Sequence, residues 1–81
     1  MKRHKWVDCG DLWFLIPCRK HASVEDAIAC IDCGVINGCY EVLMFPGGRS
    51  VGVEVAKAPS LCQAKRIACT LAPIYASMGS T

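Results

Sequence analysis

Long apolar runs are missing from this 81-residue chain. A stretch such as Leu12 to Ile16 falls far short of the ~20 residues that a membrane-spanning helix needs, so a membrane partner is not expected. Charge of one sign is also scarce. Nine Lys and Arg stand against seven Asp and Glu, a net charge of +2. That excludes a surface coated in basic charge for bulk nucleic-acid binding, and equally an acidic mimic of DNA. Any electrostatic partner must meet a local patch. Aromatics are only 7% of the residues, so most of them are needed for the core. No Gly- or Ser-rich linker and no low-complexity tract divides residues 1–81, and the length suits a single domain.

What is abundant is cysteine, seven in all. An odd number cannot pair off completely within one chain. The opening Met1-Lys2-Arg3-His4-Lys5 imitates the start of a signal peptide, but Asp8 and Asp11 break up the stretch behind it, so no export signal is read there. The expectation is a reducing, cytoplasmic setting, with the cysteines as thiols, small buried apolar groups or metal ligands. At 53% apolar and 20% charged, the composition is that of a folded chain.

The local patterns predict an α+β domain. Lys5 to Asp8 and Leu12 to Ile16 flank Cys9-Gly10-Asp11 and read as a hairpin, because aromatic and β-branched residues favour strands and Gly with Asp favours a turn. Leu12 to Ile16 does not alternate, which marks a central strand. Ser23 with Glu25 and Asp26 suits a helix start, and Val24, Ala27, Ile28 and Ile31 follow helical spacing up to a stop at Gly34. Tyr40 to Phe45 and Ser50 to Lys57 read as a second hairpin around Pro46-Gly47-Gly48, with Val51, Val53 and Val55 on one face. Ser60 and Gln63 have capping-box spacing. Behind them Leu61, Ala64, Ile67, Ala68 and Leu71 form an inner helical stripe up to Pro73, which closes or kinks the helix, and 73–81 read as a tail, either flexible or docked through Ile74, Tyr75 and Met78. The Ser23 to Cys30 and Ser60 to Cys69 segments echo each other. The expected fold is therefore ββαββα, an antiparallel four-stranded sheet with both helices on one face.

Cys30-Ile31-Asp32-Cys33-Gly34 is the sharpest local motif. Two such knuckles hold a structural zinc ion, but the sequence offers no second pair. The motif also falls at the expected C-terminus of a helix, where the dipole disfavours a thiolate. Core and cap roles for Cys30 and Cys33 are the simpler reading. A small zinc-stabilised adaptor or nucleic-acid-binding domain built around them remains the alternative, and no metal or cofactor is otherwise expected. There is no nucleophile elbow, phosphate loop or paired-carboxylate pattern, so neither enzyme activity nor a small-molecule substrate is expected.

Basic residues gather in three places: Lys2, Arg3 and Lys5; Arg19 and Lys20; Lys65 and Arg66. On the last helix Cys62 and Cys69 flank Arg66, leaving a small, weakly polar surface around one guanidinium. That composition suits a protein interface. A homodimer joined by a sheet edge or by these cysteines is a further reading of the pattern.

The run Ser60-Leu61-Cys62-Gln63-Ala64-Lys65-Arg66-Ile67-Ala68-Cys69, entered from a strand, resembles a helix of small phage-encoded anti-CRISPR proteins, in particular a family of type I-F inhibitors. Lys5-Trp6-Val7-Asp8-Cys9 is similar to a strand that closes the chain in that family but opens it here. Cys62 and Cys69 stand where the family has serines. The resemblance implies a non-enzymatic inhibitor that binds a host Cas protein or Cas ribonucleoprotein complex and blocks target-DNA recognition or nuclease recruitment. Lys65 and Arg66 inherit the contact role, with Arg19, Lys20 and Lys5 as further partner-binding candidates.

Overall fold

The computed structural model describes residues 4–33, 38–46 and 52–77. Five strands form one antiparallel sheet in sequential order: β1 (His4–Asp8), β2 (Leu12–Pro17), β3 (Ala29–Asp32), β4 (Tyr40–Met44) and β5 (Val53–Ala58). One α-helix follows, α1 (Leu61–Ser77). The class is the expected α+β, with one more strand and one fewer helix.

The first hairpin forms as expected. Trp6 lies opposite Leu15, and Val7 opposite Phe14. The Asp8 carboxylate accepts a bond from the Gly10 N–H at 3.0 Å, and Gly10 takes φ +81°. That left-handed backbone is the reason for a glycine at this turn. β2 then sits between β1 and β3, which explains its unbroken apolar run.

The expected helix from Ser23 is the main correction. Ser23 does cap, and Asp26 reaches back to the Ser23 N–H at 3.0 Å in a capping box. The helix stops after one 3₁₀ turn, Val24–Asp26. Ala29-Cys30-Ile31 instead becomes a strand buried on both faces, paired with β2 on one side and β4 on the other. Its helical spacing is real, but two ladders of backbone hydrogen bonds and burial of Ala29 and Ile31 outweigh a short helix with no partners of its own. The echo between the two halves is therefore one of sequence and not of structure.

Cross-strand register sorts the side chains onto two faces. Two rows lie beneath α1: Trp6, Leu15, Ala29 and Met44, then Trp13, Ile31, Val42 and Ala56. α1 presses Ala64, Ala68 and Ala72 onto this face, all buried with Ile31, Val42 and Met44 in one cluster. Alanines allow the helix axis to approach the sheet closely. Leu61, Ile67, Leu71 and Tyr75 pack at the margins of that contact. The Ser60 hydroxyl accepts from the Gln63 N–H at 3.2 Å, the expected start. Pro73 does not end the helix, which runs to Ser77 with Pro73 on its exposed side. Of the two readings of the tail, docking holds for Tyr75, which packs against the core from a helix that continues over 73–77, while 78–81 lie outside the described residues.

A bulge shapes the last strand. Val42 faces Ala56 and Leu43 faces Glu54, which leaves Val55 as the extra residue. Val53, opposite Met44, and Val55, packed against the core, keep to one face as expected, and the bulge brings Ala56 and Ala58 onto that same face. Val53 is 47% exposed, while Ala58 is buried. Val51, the Gly47-Gly48 turn, the expected stop at Gly34 and the basic pair Lys2 and Arg3 lie outside the described residues.

Candidate interaction surfaces

The five basic candidates do not converge. Lys65 projects from α1 toward the first hairpin. Its ammonium lies 3.6 Å from the centre of the Trp13 ring and 5.7 Å from that of Trp6. Both tryptophans also pack against the core cluster. Lys65 is thereby half-buried and held by the chain's own aromatic faces. Arg19 is exposed and pairs with Asp26 at 3.2 Å, tying the β2-to-β3 connection to its 3₁₀ turn. Lys20 is exposed in the same connection, and Lys5 is exposed on β1, opposite Ile16. These three belong to the end of β2 near Pro17. Trp13 and Lys65 belong to its other end, about 13 Å away along the strand.

Arg66 differs from all of them. It is exposed on α1, and among the described residues it makes no ion pair. Cys62 and Cys69 are exposed on the same outward side. The Thr70 hydroxyl donates to the Arg66 carbonyl at 2.9 Å. Arg66, Ile67, Thr70 and Leu71 line an open groove of about 290 Å³. Lys65 faces β1 and β2, so Ile67 and Leu71, on the other side of the Ala64–Ala68–Ala72 line, turn this groove toward β5. Helical spacing puts Arg66 off the buried stripe, but nothing in the sequence signals the groove.

The other face of the sheet carries a third feature. Val7, Phe14, Cys30, Leu43 and Glu54 form one row across five strands, pointing away from α1. Phe45 and Leu43 lie against Gly52, whose missing side chain leaves them room. Phe14 and Leu43 flank Cys30 and bury it to 5% exposure. Beside this row, Asp32 faces Glu41, and Glu41 faces Lys57. A hydrogen bond and charge repulsion from Glu54 push the Glu41 carboxyl above its ordinary value. Trp6, Trp13 and Tyr40 are not on this open face but pack against the core.

The cysteine pair is separated by the strand that holds it. Cys30 points away from α1, whereas Cys33 packs on the α1 side. Three residues of extended chain also set them about 10 Å apart. Neither a shared metal nor a disulfide suits that spacing. Among the described residues no group of three or more His, Cys, Asp or Glu is placed to hold a metal ion. Burial, with the charges of Asp32, Cys33 and Cys9, pushes the Cys30 thiol up to about 11. Burial also raises Cys33, aided by Asp32, Asp8 and Asp11 and opposed by Lys65. Both are poor nucleophiles.

No helix among the described residues is long and apolar enough to cross a membrane. Compared with known protein families, curated proteins and solved structures, nothing matches this chain.

Proposed function

We propose that this chain is a non-enzymatic binding protein of phage or mobile-element origin. It inhibits a host CRISPR–Cas surveillance complex by occupying a surface used in target-DNA recognition or nuclease recruitment. The observation that carries the reading is Arg66. It stands exposed on the outward side of α1, without an ion pair among the described residues, between exposed Cys62 and Cys69. An arginine left without an internal carboxylate, in small weakly polar surroundings, is the kind of anchor that interfaces use. The Cas assignment comes from the Ser60 to Cys69 resemblance, and those residues form the cap and first turns of a helix entered from β5. Lys65 cannot share the contact role equally, because the tryptophans already engage it. Lys20 and Lys5 supply exposed charge elsewhere on the surface.

The test uses a purified type I-F surveillance complex and its DNA target. The wild-type chain is expected to bind the complex and to prevent the DNA band shift. Arg66→Glu is expected to weaken both by tenfold or more, roughly the loss of one interface anchor, with an unchanged circular dichroism spectrum. A wild-type chain that leaves DNA binding intact removes the Cas reading. Full potency of the Arg66 variant removes Arg66 from the interface.

A further inference from the structure

The groove beside Arg66 narrows the chemistry of the partner. Among the described residues, its walls combine the Arg66 guanidinium and the Thr70 hydroxyl with two branched apolar side chains, Ile67 and Leu71. Ile74, 54% exposed, extends the apolar wall one turn further along α1. Among the described residues, this flank of α1 presents an apolar wall with Arg66 as the cation at its rim.

That arrangement does not suit a nucleic-acid backbone. A phosphate chain calls for a row of cations, each releasing its own counterion. Lys65 lies on the opposite flank over Trp13, Arg19 is paired with Asp26, Lys5 lies on β1, and Lys20 lies in the connection from β2 to β3. Of these cations only Arg66 borders the groove. One guanidinium matches one carboxylate through two parallel hydrogen bonds, and the floor around it rewards burial of an aliphatic side chain.

We propose that the groove of Arg66, Ile67, Thr70 and Leu71 is a docking site for a protein segment that places an aliphatic side chain beside a carboxylate. The segment's carboxylate pairs with Arg66, and its aliphatic group lies between Ile67 and Leu71. This deepens, and rests on, the reading of Arg66 as a partner contact. It makes that contact one with a protein subunit and not with DNA or RNA.

The experiment needs no Cas component. The ¹⁵N-labelled full chain is titrated, at constant ionic strength, with 4-methylpentanoate, with 4-methylpentanamide and with a short oligo-dT. The carboxylate is expected to give saturable amide shifts centred on residues 66–71. The neutral amide binds there about tenfold more weakly, the loss of one charge-assisted hydrogen-bonded pair. Oligo-dT leaves these residues unmoved. In Arg66→Gln the carboxylate falls to the level of the amide, while the remaining spectrum stays that of the folded chain. Equal binding of carboxylate and amide overturns the proposal. So do shifts centred elsewhere, no shifts at all, or an oligo-dT response at 66–71. Any of these leaves the Cas reading standing, whereas failure to block a surveillance complex leaves the groove chemistry untouched.

Discussion

The Lys65 ammonium lies 3.6 Å from the centre of the Trp13 ring, so a charged side chain fastens α1 to the β1–β2 hairpin. α1 itself packs over β3, β4 and β5, and this contact extends its cover toward the sheet's far edge. A cation over an aromatic face is worth from about 0.5 kcal/mol when exposed to about 2 when desolvated, and Lys65 is half-buried. Lys65→Met, which keeps the aliphatic stem, is expected to cost about 1 kcal/mol in urea unfolding. Combined with Trp13→Leu the two losses should be less than additive, because either change removes the same contact. Arg66→Met, one residue on, should stay within about 0.5 kcal/mol. Equal effects at 65 and 66 would refute the division of labour between anchor and binding residue.

The alanine line on α1 sets the distance between helix and sheet. Ala64 and Ala68 have no exposed surface, and Met44, Val42 and Ile31 share their cluster. A leucine at 68 must lift the helix or force its neighbours off their rotamers, at a cost of roughly 1–3 kcal/mol. Ala68→Leu should therefore lower the urea midpoint clearly. Cys69→Ala, on the exposed side, should barely move it.

The parts of the fold visible in the sequence are those fixed locally. Gly10 with Asp8, and the aromatic and β-branched residues around them, specify the first hairpin. Ser60 followed by alanines at helical spacing specifies α1. The Ser23 segment shows the limit of such signals. Its capping box is as good as any in the chain, yet the residues behind it obey partners that are distant in sequence. A short apolar run such as Ala29 to Ile31 fits a buried strand or a buried helical turn equally well. The same holds for the surface. Arg66 can be seen off the buried stripe from spacing alone. The diversion of Lys65 cannot, because Trp6 and Trp13 come from the opposite end of the chain. The bulge at Val55 is equally hidden, and it moves Ala56 and Ala58 onto the valine face, which strict alternation would deny them.

The cysteines should separate by reactivity. Cys9, Cys18, Cys62 and Cys69 are exposed, whereas Cys30 is buried. A rise from 9.0 to about 11 leaves Cys30 with about one hundredth of the usual thiolate near neutral pH, before its shielding by Phe14 and Leu43 is counted. In a timed iodoacetamide reaction read by peptide mass spectrometry, the four exposed thiols should be modified first and Cys30 last. Chelator should change neither the order nor the rates. Early labelling of Cys30, or rates that jump on chelation, would revive a zinc-bound or mobile Cys30–Cys33 pair.

Glu41 and Glu54 are like charges placed side by side on the sheet, and their repulsion opposes folding. Glu54 hydrogen-bonds to Glu41 and repels its charge, raising the Glu41 carboxyl above 4.5; Lys57 only partly counters this. A raised acid binds its proton more tightly folded than unfolded, so between the unfolded and folded values the folded state holds more protons. Its contribution to stability is therefore present below about 4.5 and is lost as pH rises through the folded value. Glu54→Gln keeps a hydrogen-bonding group and removes the repulsion. The variant should melt higher than wild type near neutral pH, and the gap should close as the pH falls below the ordinary carboxylate range. A gap that is constant with pH would assign the change to side-chain packing instead. A variant that melts lower at neutral pH would mean that Glu54 is held mainly by attraction to Lys57.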